Sequence, residues 1–160
     1  MNKTLTARYE ANILTVMRQV HHSVSRPKDS VDTVLLLNGI PIVTLELKNP
    51  ITGQTYQNAI YQYQNDRSNK DTLFMFKRGA LVHFALDTEQ AYMTTRINGK
   101  STIFHPFNRG DNGGAGNPIN PNGFRTEYLW TEILCRDSSI DIVGRFVHLN
   151  KEMDKKTGKT

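Results

Sequence analysis

The chain has 160 residues, of which 38% are hydrophobic and 22% are charged, as expected for one ordinary globular domain. Its single cysteine, Cys135, excludes a disulfide framework and a cysteine-based zinc site, and it fits a reducing cytoplasm. No apolar run is long enough to cross a membrane, and the net charge of +5 suits a polyanionic partner such as DNA.

The first thirty residues predict a short helix followed by a strand. Residues 5–12 favour a helix, and the β-rich residues 13–24 favour the first strand. Arg18 and Gln19 on that strand are candidates for phosphate contacts, although single polar residues usually only solvate a surface. A turn over residues 25–30 follows.

Two apolar runs on either side of Asn38-Gly39 predict a central β-hairpin. Asn-Gly between β-rich runs is a strong hairpin signal, and runs that are apolar on both faces indicate strands buried within a sheet. Three charged residues interrupt these runs, namely Asp32, Glu46 and Lys48. Charges are costly inside buried strands, so these three side chains need each other, a metal ion, or both.

The length of the hairpin turn decides whether the two carboxylates meet. A two-residue turn would send Asp32 and Glu46 to opposite faces, because side chains alternate along a strand. A three-residue turn over residues 37–39 would place Asp32, Glu46 and Lys48 on one face, with Asp32 across from Thr44. We predict the three-residue turn.

The remainder of the chain alternates helical and strand patterns. The predicted elements are a helix over residues 52–68, a strand over 72–76, a hairpin of strands 80–86 and 90–94, a short strand over 101–104, a helix over 126–136 and a last helix capped near Ser138. The Gly/Asn/Pro-rich residues 108–123 form a long loop, a kind of segment that is usually functional or mobile. The polar, Lys-rich residues 151–160 predict a tail.

The hairpin resembles the PD-(D/E)xK nuclease superfamily, whose core is an Asp, a strand-turn-strand and then Glu-x-Lys. More narrowly, residues 37–50 (Leu-Asn-Gly-Ile-Pro-Ile-Val-Thr-Leu-Glu-Leu-Lys-Asn-Pro) resemble the nuclease domain of the R (restriction and translocation) subunit of type I restriction-modification systems. Val31 stands where the superfamily's name has Pro, which has no chemical role. The resemblance implies an α/β fold: a mixed central β-sheet flanked by helices, with a restriction-endonuclease-like αβββαβ core.

The same resemblance implies Mg²⁺-dependent cleavage of double-stranded DNA. The carboxylates of Asp32 and Glu46 and the backbone carbonyl of Leu47 would hold Mg²⁺. The metal and Lys48 would lower the pKa of an attacking water and stabilise the charge that develops on the phosphate.

Residues of the helix after the hairpin are predicted to contact DNA along with Lys48. Gln62 and Arg67 are these residues, and Gln62 is also counted among the catalytic residues as a contact to a metal-bound water. Relatives carry a Gln-x-x-x-Tyr motif here, but Asp66 occupies the Tyr position that follows Gln62. Gln57 with Tyr61 matches the motif literally, and it remains the alternative.

R subunits are much longer than this chain, so the resemblance implies a fragment. Residues 1–150 would be the endonuclease domain and residues 151–160 a linker toward an ATPase motor, the only place where ATP would bind. The methyltransferase and specificity subunits of the type I complex would be its protein partners. Two alternatives stay open: a stand-alone repair or resolvase-type nuclease, and a non-catalytic DNA-binding or assembly module.

Overall fold

The computed structural model describes residues 2–148, in which a six-stranded mixed sheet has flanking helices. In sheet order the strands are β1 (Leu14–His21), β2 (Ser30–Leu37), β3 (Ile40–Leu47), β4 (Val82–Leu86), β5 (Ala91–Thr94) and β6 (His105–Pro106). The helices are α1 (Lys3–Glu10), α2 (Tyr56–Asn65) and α3 (Arg136–Arg145). Only β3 and β4 run parallel. The order α1-β1-β2-β3-α2-β4 confirms the predicted αβββαβ core.

The described residues divide into two compact units, residues 2–127 and residues 128–148. The whole sheet lies in the first unit. The predicted boundary at residue 150 and the predicted tail over residues 151–160 lie outside the described residues. No helix within residues 2–148 is both long enough and apolar enough to cross a membrane.

The hairpin turn has two residues, so the predicted three-residue turn is wrong. Leu37 pairs with Ile40, and the two turn residues Asn38 and Gly39 have φ of 52° and 81°. Positive φ at both positions is typical of a type I′ turn, and Asn-Gly is a pair that adopts it at low cost. The Asn38 side chain also accepts a 2.8 Å hydrogen bond from the backbone N–H of Ile13, which fixes the turn against the start of β1.

A β-bulge in β3 then changes the register of the hairpin. The pairing of β2 with β3 slips by one residue, which leaves Ile42 as the extra residue on β3. Ile42 follows Pro41, a residue that is tolerated in strands mainly at edges, first positions and bulges. Beyond the bulge Thr33 pairs with Leu45, and this register, continued by one residue, brings Asp32 opposite Glu46 and not, as predicted, opposite Thr44.

Helix α2 covers the sheet next to the hairpin. It begins at Tyr56 because Thr55 forms a capping box: the Thr55 hydroxyl accepts from the N–H of Gln57, and the Asn58 side chain accepts from the N–H of Thr55. Its buried residues join a core cluster with residues of β2 and β4. The fully buried members of this cluster are Val31, Val34, Ala59, Tyr63, Phe74, Ala85 and Ile97.

The strand predicted over residues 72–76 is wrong, because this segment forms a single 3₁₀ turn, Thr72–Phe74. The Asp71 side chain just before it is bound by His22 and by the Ser23 hydroxyl. The chain then turns back so tightly that a Cβ on Gly79 would lie 2.1 Å from a backbone oxygen. These tertiary contacts override the apolar pattern that indicated a strand.

Two further predicted elements differ in the structure. Residues 101–104 are not a strand, because the Thr102 hydroxyl closes a turn by donating to the carbonyl of Gly99 at 2.6 Å. The helix predicted over residues 126–136 is reduced to a π-helical turn at Leu129–Ile133. The last helix, α3, begins at Arg136, earlier than predicted from Ser138.

The long loop over residues 108–123 is fastened to the turn between β4 and β5. The side chain of Asn117, 1% exposed, donates to the Glu89 carbonyl at 2.9 Å and to Asn108 Oδ1 at 2.8 Å. Its oxygen accepts from the N–H of Arg109 at 2.8 Å. One buried amide therefore organises the base of this loop.

Candidate active site

The candidate site lies where β3 ends beside the start of β2. Because the two strands are antiparallel, Asp32 near the start of β2 comes opposite Glu46 near the end of β3. The Asp32 Oδ2 atom accepts a hydrogen bond from the N–H of Leu47 at 2.8 Å. The two carboxylates therefore converge on the segment that also carries the Leu47 carbonyl.

Glu46 is held by a buried arginine. Arg67 Nε donates to Glu46 Oε1 at 2.7 Å, and Arg67 Nη2 pairs with the same oxygen. Nη2 also donates to the carbonyl of Ser30 at 2.8 Å. Arg67 is only 7% exposed and serves as the internal partner of Glu46. The DNA contact predicted for Arg67 from the sequence stays a prediction.

The surroundings of Glu46 disfavour its charged form. Burial raises the pKa of the Glu46 carboxyl to about 7. Arg67 opposes this shift of the pKa, the Asp32 carboxylate adds to it, and Lys48 opposes it. A carboxyl whose pKa is perturbed by burial and by a second carboxylate is a frequent feature of functional sites.

Asp32 is bound on its other side by Gln19 of β1. Gln19 Nε2 donates to Asp32 Oδ1 at 3.1 Å, and Gln19 Oε1 accepts from the Ser30 hydroxyl at 2.9 Å. Sequence reasoning treated Gln19 as a phosphate contact. Its side chain is instead engaged with two residues of β2.

Three buried polar side chains, one each on α2, β3 and β4, form hydrogen bonds with one another near the carboxylates. The Thr44 hydroxyl is 2.8 Å from both Tyr63 Oη and His83 Nδ1. Burial raises the pKa of Tyr63 well above its ordinary value, and the nearby Glu46 carboxylate adds to that shift. Burial lowers the pKa of His83 to about 4, so its ring is neutral at pH 7. Tyr63 belongs to the buried core, and its position on the helix that packs against the sheet brings its hydroxyl close to the site.

Lys48 directly follows the end of β3, and Gln62 lies on α2. The Lys48 ammonium makes no ion pair among residues 2–148, but it is near enough to lower the pKa of Glu46. The Gln62 Oε1 atom is buried and has no hydrogen-bond partner in the described part of the chain. The roles predicted for both residues stay predictions, and the unpaired Oε1 of Gln62 leaves one acceptor available.

The donors at this site fit Mg²⁺. The protein offers two carboxylates and a backbone carbonyl, all of them hard oxygen ligands. Mg²⁺ is commonly bound by one or two carboxylates and keeps several waters. Within residues 2–148 no three His, Cys, Asp or Glu side chains gather into a larger metal-binding group. Both contacts that Arg67 makes to Glu46, from Nε and from Nη2, go to Oε1.

Comparison with known proteins identifies the family. Neither the curated proteins nor the solved structures include a match to this chain. The family model described as "Type I restriction enzyme R protein N terminus" matches residues 6–102. That range covers more than half of the chain and includes β1 to β5, α2 and the candidate site. The chain therefore belongs to the family of type I restriction enzyme R protein N-terminal domains.

Proposed function

We propose that this domain is the Mg²⁺-dependent endonuclease of a type I restriction enzyme and that it hydrolyses phosphodiester bonds of double-stranded DNA. The observation that supports this most is the register that brings Asp32 opposite Glu46, with Lys48 two residues further along the same strand direction. Two carboxylates and a lysine at the adjoining ends of two neighbouring strands are the groups that this reaction requires.

In this proposal Asp32, Glu46 and the Leu47 carbonyl hold the ion. Bound Mg²⁺ would supply Lewis-acid stabilisation of the phosphate and a water of lowered pKa. By fixing the position of the cation, Asp32 and Glu46 would also determine where the phosphate binds. Lys48 donates to the attacking water or to the phosphate oxygen and stabilises the negative charge that develops there.

Gln62 has a supporting role in the proposal. Its buried Oε1, which lacks a partner among the described residues, accepts a hydrogen bond from a water of the filled site. The net charge of +5 supports contact with the DNA backbone, and such contact would be salt-sensitive and independent of sequence.

An R subunit belongs to a multisubunit complex, and the family assignment carries that statement to this chain. We propose that the methyltransferase and specificity subunits are its partners, in the cytoplasm, and that ATP-driven translocation by a motor outside this sequence precedes cleavage. The specificity subunit would read the DNA sequence. The nuclease domain then acts without base readout of its own.

The test is nicking of supercoiled plasmid by the assembled parent enzyme with Mg²⁺ and ATP. Glu46→Ala and Lys48→Ala should each reduce cleavage at least about 100-fold, since the first removes a proposed metal ligand and the second removes a positive charge that stabilises the transition state. Lys28→Ala, at an exposed lysine on the turn between β1 and β2, is the matched control and should cleave normally.

ATP hydrolysis by the same preparations reports whether the complex has assembled. Each Ala variant should keep it, because the change lies outside the motor. Cleavage at the wild-type rate by Lys48→Ala would exclude the proposed chemistry and favour the non-catalytic alternative, in which Glu46 and Arg67 are only a structural ion pair.

A further inference from the structure

Gln19 has a backbone conformation that is unusual within a strand. Its φ is 49°, in the left-handed region that residues other than glycine rarely adopt. Its neighbours Arg18 and Val20 both keep regular pairing with β2. The distortion is therefore confined to the one position of β1 that faces Asp32.

At this distorted position, both polar atoms of the Gln19 side chain form hydrogen bonds. Its nitrogen donates to Asp32 Oδ1 and its oxygen accepts from the Ser30 hydroxyl. The other oxygen of Asp32 accepts from the N–H of Leu47. The Asp32 carboxylate is thus held from both sides, by a side chain on β1 and by the backbone of β3.

Ser30 connects this arrangement to the second carboxylate. Its hydroxyl binds Gln19, while its carbonyl accepts from Arg67 Nη2. Arg67 in turn donates to Glu46 Oε1. One continuous series of hydrogen bonds therefore runs from Asp32 to Glu46 through three residues, none of which is a candidate metal ligand.

We propose that Gln19 and Arg67, joined through Ser30, are positioning residues that orient Asp32 and Glu46 toward a shared divalent cation. This inference rests on the proposed function, since it takes the two carboxylates as ligands. Two carboxylates that face each other repel, and donors on their outer sides keep both in place; each oxygen of Asp32 accepts one of these hydrogen bonds and keeps a second lone pair. Loss of such outer partners typically lowers metal affinity about 10–100-fold.

The strained backbone allows positioning to be separated from stability. Gln19→Gly removes the side chain and also relieves the left-handed conformation, which glycine adopts freely. We expect its thermal midpoint to equal or exceed that of the wild type. Its dissociation constant for Mn²⁺, an oxygen-seeking substitute for Mg²⁺, should rise about 10-fold in calorimetric titrations of the full chain.

Three further variants complete the experiment. Thr15→Gly, at an exposed and regularly paired position of β1, should lower the thermal midpoint and leave the Mn²⁺ affinity unchanged. Ser30→Ala removes only the hydroxyl link, and its Mn²⁺ affinity should fall less than that of Gln19→Gly. Asp32→Asn defines the level of binding without the site.

The outcomes distinguish this inference from the proposed function. Wild-type Mn²⁺ binding no tighter than that of Asp32→Asn would remove the metal site itself, and with it the proposed function. Clear wild-type binding that Gln19→Gly retains in full would overturn the positioning role and leave the metal site standing. Weaker binding by Gln19→Gly at undiminished thermal stability is the result that supports the inference.

Discussion

Arg67→Met tests how strongly the candidate site depends on its buried ion pair. The side chains of Arg67 and Glu46 are 5% and 1% exposed, so solvent screens their interaction little. Deleting one partner of such a pair costs about 3–5 kcal/mol, because the remaining charge stays buried without compensation. Since domains of this size have about 5–15 kcal/mol of stability, the loss should be large but measurable.

The pH dependence of that cost follows from the pKa of Glu46. Burial raises this pKa from 4.5 to about 7. Between those values the folded chain keeps a proton that the unfolded chain has released, so stability falls as the pH rises through the window. Arg67 lowers the pKa, and its removal extends the window above pH 7. The cost of Arg67→Met should therefore be small at pH 5, about 1 kcal/mol for lost hydrogen bonds, and reach its full size at pH 8.

Urea unfolding followed by circular dichroism gives the stability cost of Arg67→Met at pH 5 and at pH 8. The series comprises the wild type, Arg67→Met, Glu46→Gln and the double variant, each at pH 5 and pH 8. At pH 8 the double variant should be more stable than Arg67→Met, because no charge is left buried. A cost of Arg67→Met that is equal at the two pH values, or below about 1 kcal/mol at pH 8, would refute the reasoning.

Three further predictions concern other parts of the chain. Burial lowers the pKa of His83 from 6.5 to about 4, so the unfolded chain takes up a proton at a higher pH than the folded chain. The free energy of unfolding should therefore fall by up to about 3 kcal/mol as the pH drops through that range. His83→Asn should remove this pH dependence from stabilities measured by urea unfolding. Gly79→Ala should lower the thermal midpoint, because the new Cβ would lie 2.1 Å from the carbonyl oxygen of Leu73. Its control is Gly144→Ala on α3, where a Cβ meets no atom within 4 Å and should stabilise the fold by about 0.5–1 kcal/mol. The chain alone should neither hydrolyse ATP nor cut plasmid at a specific sequence, and ATP-stimulated, sequence-specific cutting by residues 1–160 would show that it is no fragment of a larger machine.

The fold class and the location of the candidate site were predictable because they rest on strong local patterns. Apolar runs around Asn38-Gly39 define the central hairpin, and three charges within those runs mark one end of it. The helix after the hairpin follows from the helical pattern within residues 52–68. These signals depend on residues close together in the chain, so the sequence alone reveals them.

The detailed geometry of the site was not predictable in the same way. Asn38 and Gly39 form the two-residue turn that their conformational preference favours. The register between β2 and β3 is instead set by the bulge at Ile42. Arg67 lies just past the end of α2, and only the packing of that helix on the sheet turns its guanidinium toward Glu46. Each of these features depends on residues far apart in the sequence, which periodicity does not report.

Both departures from regular strand structure near the site concern the two carboxylates. The bulge at Ile42 sets the register that brings Asp32 opposite Glu46, and the left-handed Gln19 supplies Asp32 with its outer hydrogen bond. A regular hairpin with the same turn would place the carboxylates on opposite faces. Strain and bulges cost stability and persist where the surrounding structure enforces them, often beside active sites. That both occur around one pair of carboxylates is an argument for function that the composition of the site alone does not provide.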